Sequence, residues 1–413
     1  MAEKVLITRT GRTKIGIESA FGTLAGTMVD IFPDAGGLLD LKQEQLKMRD
    51  ERPTKTAHQQ NVLGQKSWGG KLGFKLRPPA DQLNAAATPT TPPQMIATKA
   101  MWGGEQKAAG STVASSADAS TITVASGHGS RFPVGTWGAV VISGAPVPFK
   151  VIAVDGDELT VFPALPSTPS TSAVVYNSCT YYPTQSNTQS ISVQHAKPNA
   201  ANGSDYDQQW EARGGTGDLG FEMKTGQVPM CSFDLRGAPW SGPDSAPGLL
   251  PAPFAEDTQG APFVFNNATV LWQPVDTTTR VHTPIAGVDF KFDGQMMHLE
   301  DPGGVEGKIG VERVGSEFMM VSGTIAKRFD ATFDGYYSPS TPLWFCAMIP
   351  LGSGTSKRWA VVEISTMFLA QKPGLADDGG MTRHQHEWEG LEDQTIADPA
   401  TDLARAPFRL ALI

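Results

Sequence analysis

Between positions 219 and 236 apolar and polar residues alternate through two successive runs. Leu219, Phe221 and Met223 alternate with Gly220, Glu222 and Lys224; after the connection 225–229, Cys231, Phe233 and Leu235 alternate with Ser232, Asp234 and Arg236. Side chains of a strand point to opposite faces in turn, so a period of two builds a ribbon with one greasy and one wet face. Two such runs across a short Gly-containing connection read as a β-hairpin. The pattern returns at Trp68, Leu72, Phe74 and Leu76 and at Val288, Phe290 and Phe292, and more weakly at 309–311, 329–333 and 361–366. The expected fold is mainly β: an antiparallel β-sandwich or barrel core, with an inserted small all-β module and extended N- and C-terminal arms. No reaction centre stands out among these strands, which points to shape and self-association.

Composition agrees. Charged residues make up 18% of the 413 positions, against 44 Gly and 31 Pro, a balance that favours strands and turns over helices. The net charge of −9 argues against a general nucleic-acid binder held by phosphate contacts; it would suit a wall along which DNA slides, but mild acidity for solubility alone is the stronger reading of composition. Residues 1–77 carry 13 Lys/Arg and 8 Asp/Glu, leaving a basic end on an acidic body that can attract neighbouring copies head to tail or be simply a solvated basic loop. Cys179, Cys231 and Cys346 are odd in number and far apart, so no disulfide framework follows, and their use fits a reducing cytoplasm. Charges interrupt the first twelve residues, which do not read as a signal peptide, and the longest apolar run, near 344–349, is too short to span a bilayer.

Along the chain, residues 31–61 hold the one helix-friendly stretch, LLDLKQEQLKMRDE, readable as an arm that orders against a partner or as a surface loop with a helical turn. Residues 80–98 read as a helix or irregular crossing followed by a linker. Residues 108–180, rich in Ser, Thr and Val, read as short strands at 121–124, 137–142, 149–154, 158–162 and 173–176, with a turn at Asp155-Gly156. They are expected to form a module inserted into a discontinuous main domain of residues 1–107 and 181–413. After the Pro-rich loop 238–262, strands are expected between 263 and 299 and at 307–314, 318–325, 331–337, 344–351, 358–368, 387–391 and 408–412.

No phosphate loop, GxSxG, HExxH or paired CxxC is present. His384 and His386 with Asp377 and Asp378 offer partial metal ligation, without a third ligand in fixed geometry. Asp205, Asp207 and Glu211 resemble fragments of a calcium loop but lack its Gly and bidentate Glu. Glu300-Asp301 and Asp289/Asp293 are the carboxylate pairs a glycosidase would need. Trp102, Trp137, Trp240, Trp272 and Trp344 suit either a sugar platform or packing. In each case an ordinary structural role is the stronger reading. No catalytic, cofactor-binding or metal residue is assigned, and no cofactor is expected.

The order of features resembles the major tail tube proteins of long-tailed bacteriophages, in the larger form with an added β-module. The likeness rests on GIESAFGT, ERPTKTAHQQNVLGQKSWGGKLGFKLR, ARGGTGDLGFEMKTGQVPMCSFDLRG, TITVASGHGSRFPVG and the terminal APFRLALI. Two departures, greater length and the Pro-rich 238–262 loop, leave a neighbouring ring component open. The resemblance implies a virion protein, made in the host bacterial cytoplasm, whose hexameric rings stack into a tube for DNA ejection. It further implies tape measure, tail terminator and distal tail proteins as partners, passage of DNA without specific binding, and no membrane insertion. Edge strands that are hazardous alone become useful when a ring pairs them. The segments 31–61 and 370–413 are then expected to reach neighbours, and the channel to be predominantly negative. The 108–180 module is expected to sit outside, where its removal leaves assembly intact. The competing readings are a decoration or distal-tail protein that binds host glycans through the module, and a β-sandwich glycan hydrolase.

Overall fold

A computed structural model describes residues 12–31, 33, 39–46, 62–79, 83–184, 188–198, 206–244, 261–275, 285–293, 296–313, 320–327, 341–369, 374–378, 381–397 and 399–413. The chain is mainly β, and among the described residues the strand pairings are antiparallel.

Two layers enclose the main core. In the first, the Tyr206–Lys224 and Met230–Gly237 strands pair from Thr216↔Arg236 to Glu222↔Met230, as the alternation predicts. Val62–Lys75 flanks the second of these, and Ile285–Asp293, Met320–Lys327 and Met381–Leu391 follow beside the first. Leu39–Leu46 and Gly374–Asp378 lie against the outermost strands. The second layer runs Thr269–Pro274, Leu343–Leu351, Arg358–Leu369, Phe408–Leu412, Cys179–Pro183, Gly103–Gln106. Arg358–Leu369 also pairs with Met381–Leu391, which makes the two layers continuous.

The greasy faces meet between the layers. Phe290 and Phe292 of the first layer pack on Phe408 of the second with ring centroids 5.3 and 4.4 Å apart. Trp102, at the end of the short helix Ile96–Trp102, stands edge-on to Phe292 and Phe408, both at 5.0 Å. Edge-to-face geometry places ring edges on π faces, adding to the area buried.

The Tyr206–Lys224 strand is 19 residues long because it serves two sheets. Its first half pairs with Ile191–Pro198 and Trp240–Asp244, its second with the alternating ribbon. The switch occurs at Gly214, where φ is +61° and a Cβ would run into the Ala238 carbonyl and the Phe21 ring. Buried Glu18 holds the bend: its carboxylate accepts from the Gly214 and Gly22 amides at 2.8 Å and from the Ser190 and Ser192 hydroxyls at 2.6 and 2.7 Å. Four donors on one carboxylate replace the water it gives up.

Residues 111–177 contain a closed six-stranded barrel with its own apolar core around Phe132, Phe149, Leu159 and Val175. It packs on the outer side of the second layer. Trp137, Ala139 and Phe162 share a cluster there with Leu271, Trp344, Cys346, Met348, Trp359 and Ala411. The order of the molecule is therefore wet face, first layer, main core, second layer, seam, barrel.

Several local expectations change. The helix-friendly stretch near 39–46 is a strand paired with Val62–Lys75, because a neighbouring edge outweighs helix propensity. Residues 47–61 and 331–337 lie outside the described residues. The stretch 361–366 is not half wet: Val361, Val362, Glu363, Ile364, Ser365 and Thr366 are all buried between the main core and the barrel. The far end of the expected C-terminal arm, Phe408–Leu412, is an internal strand buried throughout. The N-terminal residues 1–11 are outside the described residues.

A candidate assembly surface and the charge cluster behind it

The wet face of the first layer is ordered by register. One row sets Lys71 opposite Asp234, and Asp234 opposite Asp218. The next runs Gly73, Ser232, Gly220, Lys291, Ser322, Glu389, and the third Lys75, Met230, Glu222, Asp289, Thr324, Glu387. Gly and Ser in the middle row leave a shallow trough of about 440 Å³ between charged rows. Among the described side chains of this face, acids (Asp218, Glu222, Asp234, Asp289, Glu387, Glu389) are interspersed with bases (Lys71, Lys75, Lys224, Arg236, Lys291). Interspersed charge keeps a broad sheet face hydrated while denying a polyanion a continuous basic track.

Behind the second layer lies a cluster that sequence inspection missed. Lys150 Nζ, from the barrel, contacts Glu363 Oε1 at 2.7 Å and Asp393 Oδ2 at 2.8 Å. Arg409 Nη1 reaches Glu363 Oε2 at 3.1 Å and Asp393 Oδ2 at 2.8 Å. All four side chains are fully buried, and two cations balance two carboxylates. The indoles of Trp137 and Trp344 donate to Glu363 at 2.7 and 2.9 Å, and Lys150 donates to the Thr395 hydroxyl at 2.6 Å. Arg409 also donates to the Leu403 and Ala404 carbonyls at 2.7 and 3.0 Å. Burial alone raises the Glu363 and Asp393 carboxyls, but Lys150 and Arg409 outweigh it. Both sit below the ordinary range, Asp393 at about 2. Such a cluster has no open position for a substrate; it ties the barrel to the second layer. Consequently the expectation that the module can be removed without harm loses its premise, since excision would uncover apolar side chains and three buried ionised groups. The missed signal was a lone Glu in the apolar run WAVVEIST and a lone Arg in FRLAL.

The residues singled out from sequence do not converge. His386 is buried edge-on to Trp272 at 5.3 Å, with His384 6.5 Å away; the Asp377 and Asp378 side chains lie outside the described residues. Glu211 is engaged by Arg213 at 2.7 Å and Gln194 at 3.0 Å, whereas Asp205 and the Asp207 side chain are not described. Asp289, on the wet face, accepts from the Thr324 hydroxyl. Glu300 and Asp301 belong to a two-stranded ribbon separate from the strand that carries Asp289; the Asp293 side chain is not described. Among the described residues no group of three His, Cys, Asp or Glu gathers as a metal would require. Trp102, Trp137, Trp272 and Trp344 are buried, and Trp240 is half-buried with its indole on the Lys42 carbonyl at 2.9 Å, so no sugar platform forms from them. All three cysteines are buried and none is in a disulfide, and burial pushes the Cys231 thiol up to about 12. A cavity of about 500 Å³ opens at the barrel seam beside Leu83, Tyr176 and Ile413. Its Arg358 and Asn177 are already spent on the Pro79 and Arg131 carbonyls. Among the described residues no helix is long and apolar enough to cross a membrane.

In comparison with known proteins, none of the curated proteins matches the chain. A family model described as phage tail tube protein matches residues 8–342. That span takes in the alternating ribbon, the sheet switch at Gly214 and the barrel, and it exceeds half of the chain. The chain belongs to the phage tail tube protein family.

Proposed function

We propose that this protein is a structural, non-catalytic tail subunit. Six copies close into a ring, and rings stack into the tube through which DNA leaves the capsid. The observation that carries this reading is the order of layers. A broad sheet with a hydrated face lies on one side of the molecule and the barrel on the other, with the doubly buried second layer between them. In a ring the wet face lines the channel, edge strands of neighbouring sheets meet, and closure removes the exposed edges. The main domain is residues 1–107 and 181–413, and the 108–180 module faces outward. Along the wet face, DNA with about one charge per 1.7 Å of duplex meets acids between the bases and slides without capture. Tape measure, terminator and distal tail proteins are the neighbours this role requires.

Negative-stain electron microscopy of the purified chain tests the reading: rings and tubes with a central channel are expected, and a compact closed oligomer at every concentration overturns it. The outward module has its own test. Gly144 lies in an open turn of the barrel, where an added side chain meets nothing within 4 Å. A peptide tag inserted there should be decorated by antibody along assembled tubes. Tubes that form but never bind the antibody would contradict the outward placement.

A further inference from the structure

The ammonium of Lys150 spends all three of its protons inside the seam between barrel and second layer. It donates to Glu363 Oε1 at 2.7 Å, to Asp393 Oδ2 at 2.8 Å and to the Thr395 hydroxyl at 2.6 Å. A buried ion pair seldom stabilises a fold more than apolar side chains of the same volume would. Four ionised side chains in a seam otherwise built of Trp, Phe, Met and Ala therefore call for a reason besides stability.

Their chemistry supplies one. An amine, a carboxyl and a second carboxylate in mutual contact and closed off from water are the parts of an amide condensation. Each oxygen of the Asp393 carboxyl is held for a different share of it. Oδ1 accepts from the Thr395 amide at 2.8 Å and the Thr395 hydroxyl at 2.6 Å, two donors placed where negative charge gathers as the carboxyl carbon becomes tetrahedral. Oδ2 meets Lys150 Nζ and Arg409 Nη1, both at 2.8 Å, donors suited to a departing oxygen. Glu363 Oε1 is the base in reach of Nζ, and the Trp344 and Trp137 indoles fix the Glu363 carboxylate in place. Contact between amine and carboxyl makes the step unimolecular, and the closed seam keeps bulk water from reversing it.

We propose that Lys150 and Asp393 join in an isopeptide bond, formed by the folded chain itself with Glu363 as proton carrier. Lys150 Nζ bonds to the Asp393 carboxyl carbon, and the bond from that carbon to Oδ2 breaks. Of the three ammonium protons, one stays on the amide nitrogen. The other two leave with Oδ2 as water, one passing directly and one by way of Glu363. No oxidant or co-reactant enters, and the water departs past Thr395, which is only half-buried. One cation and one anion are consumed together, so Glu363 and Arg409 remain as a balanced pair. Lys150 and Arg409 hold both carboxyls below their ordinary range, so the neutral amine and acid that react are a minor form and the bond follows folding slowly. The link ties barrel to main domain across 243 positions, and closing so long a loop restricts the unfolded chain. It depends on the fold of one chain and not on the tube reading. Acid sensitivity due to Asp393 belongs to the chain before the bond has formed.

Intact-mass spectrometry of the purified full chain, fresh and after days in the folded state at neutral pH, tests the bond. The chain should become one water lighter than its sequence, and proteolysis should release one branched peptide carrying both Lys150 and Asp393. A chain that keeps its full mass throughout holds an ion pair only and overturns the proposal. A lost water that maps elsewhere, such as to a cyclised Asp155-Gly156 turn, overturns it equally. Glu363→Gln keeps the shape of the side chain while removing the proton carrier, so that variant, folded by circular dichroism, should hold its full mass. Loss of water from it overturns the role given to Glu363. Where the variant does not fold, the mass and peptide map of the wild-type chain decide alone.

Discussion

Two hairpins of this molecule use strand geometry in opposite ways. In the ribbon 219–236, Phe221, Cys231 and Phe233 are buried while Glu222, Ser232 and Asp234 face solvent. In the pair formed by Leu343–Leu351 and Arg358–Leu369, odd and even residues are both buried: Phe345, Ala347 and Ile349 in the main core, Trp344, Cys346 and Met348 against the barrel. The first pattern leaves a surface to offer; the second makes an inner partition that can offer nothing. Charge on the two therefore has different consequences, because a group in water is cheap to change and a buried ionised one is not.

The largest effect that would break this contrast is at Lys150. Replacing it by Met leaves Glu363 and Asp393 facing Arg409 alone, and the expected loss is about 3–5 kcal/mol of unfolding free energy. Lys71→Met on the wet face should stay within about 0.5 kcal/mol. Denaturant unfolding of both variants decides the matter, and similar losses would mean that the partition is wetter than its geometry implies.

Within the ribbon the contrast should reappear between neighbours. Phe221 stacks on Phe290 with centroids 5.0 Å apart, so Phe221→Ala is expected to cost about 3–5 kcal/mol. Glu222→Gln, one residue away and exposed, should change stability by less than about 0.5 kcal/mol. Thermal unfolding of the two variants would test the one-sidedness of the strand directly.

Acid separates the regions by another route. Asp393 ionises at about 2 in the fold against 3.8 ordinarily. A depressed carboxyl contributes stability that is complete above its unfolded value and lost as pH falls through its folded value. Stability should therefore hold down to about pH 4 and decline towards about pH 2. The double variant Lys150→Met, Asp393→Leu removes one charge of each sign, and its decline over that window should be shallower. An unchanged slope, followed by calorimetry, would assign the acid sensitivity to other carboxylates.

How far these regions were legible in sequence follows from the same geometry. A strand with one wet face prints its period of two, so the ribbon, its partners at 68–76 and 288–292, and the barrel strand at Thr121–Val124 are readable directly. A strand buried on both faces prints only an apolar run. That is why 361–366 looked weakly alternating, and why Glu363 gave no sign of meeting Lys150, 213 positions earlier. Leu39–Leu46 read as helix because its propensities are local and its partner edge is not. The wet face itself came from register: no single stretch states that Lys71, Asp234 and Asp218 stand side by side.

That row supplies the smallest and most discriminating effect. Asp218 and Asp234 are directly opposed across neighbouring strands, and like charges so placed are destabilising. Asp218 Oδ1 is screened from solvent with no hydrogen-bond partner among the described residues. A sheet optimised only for stability would not keep this pair. Asp234→Asn should therefore raise stability by about 0.2–1 kcal/mol at low salt, and the gain should shrink as salt screens the repulsion. If the face lines a DNA conduit, the same variant should bind duplex DNA more strongly once assembled, because Lys71 loses the acid beside it. A gain in stability with no change in DNA retention would place this face away from the channel, and a loss of stability would show that Lys71 already neutralises the pair.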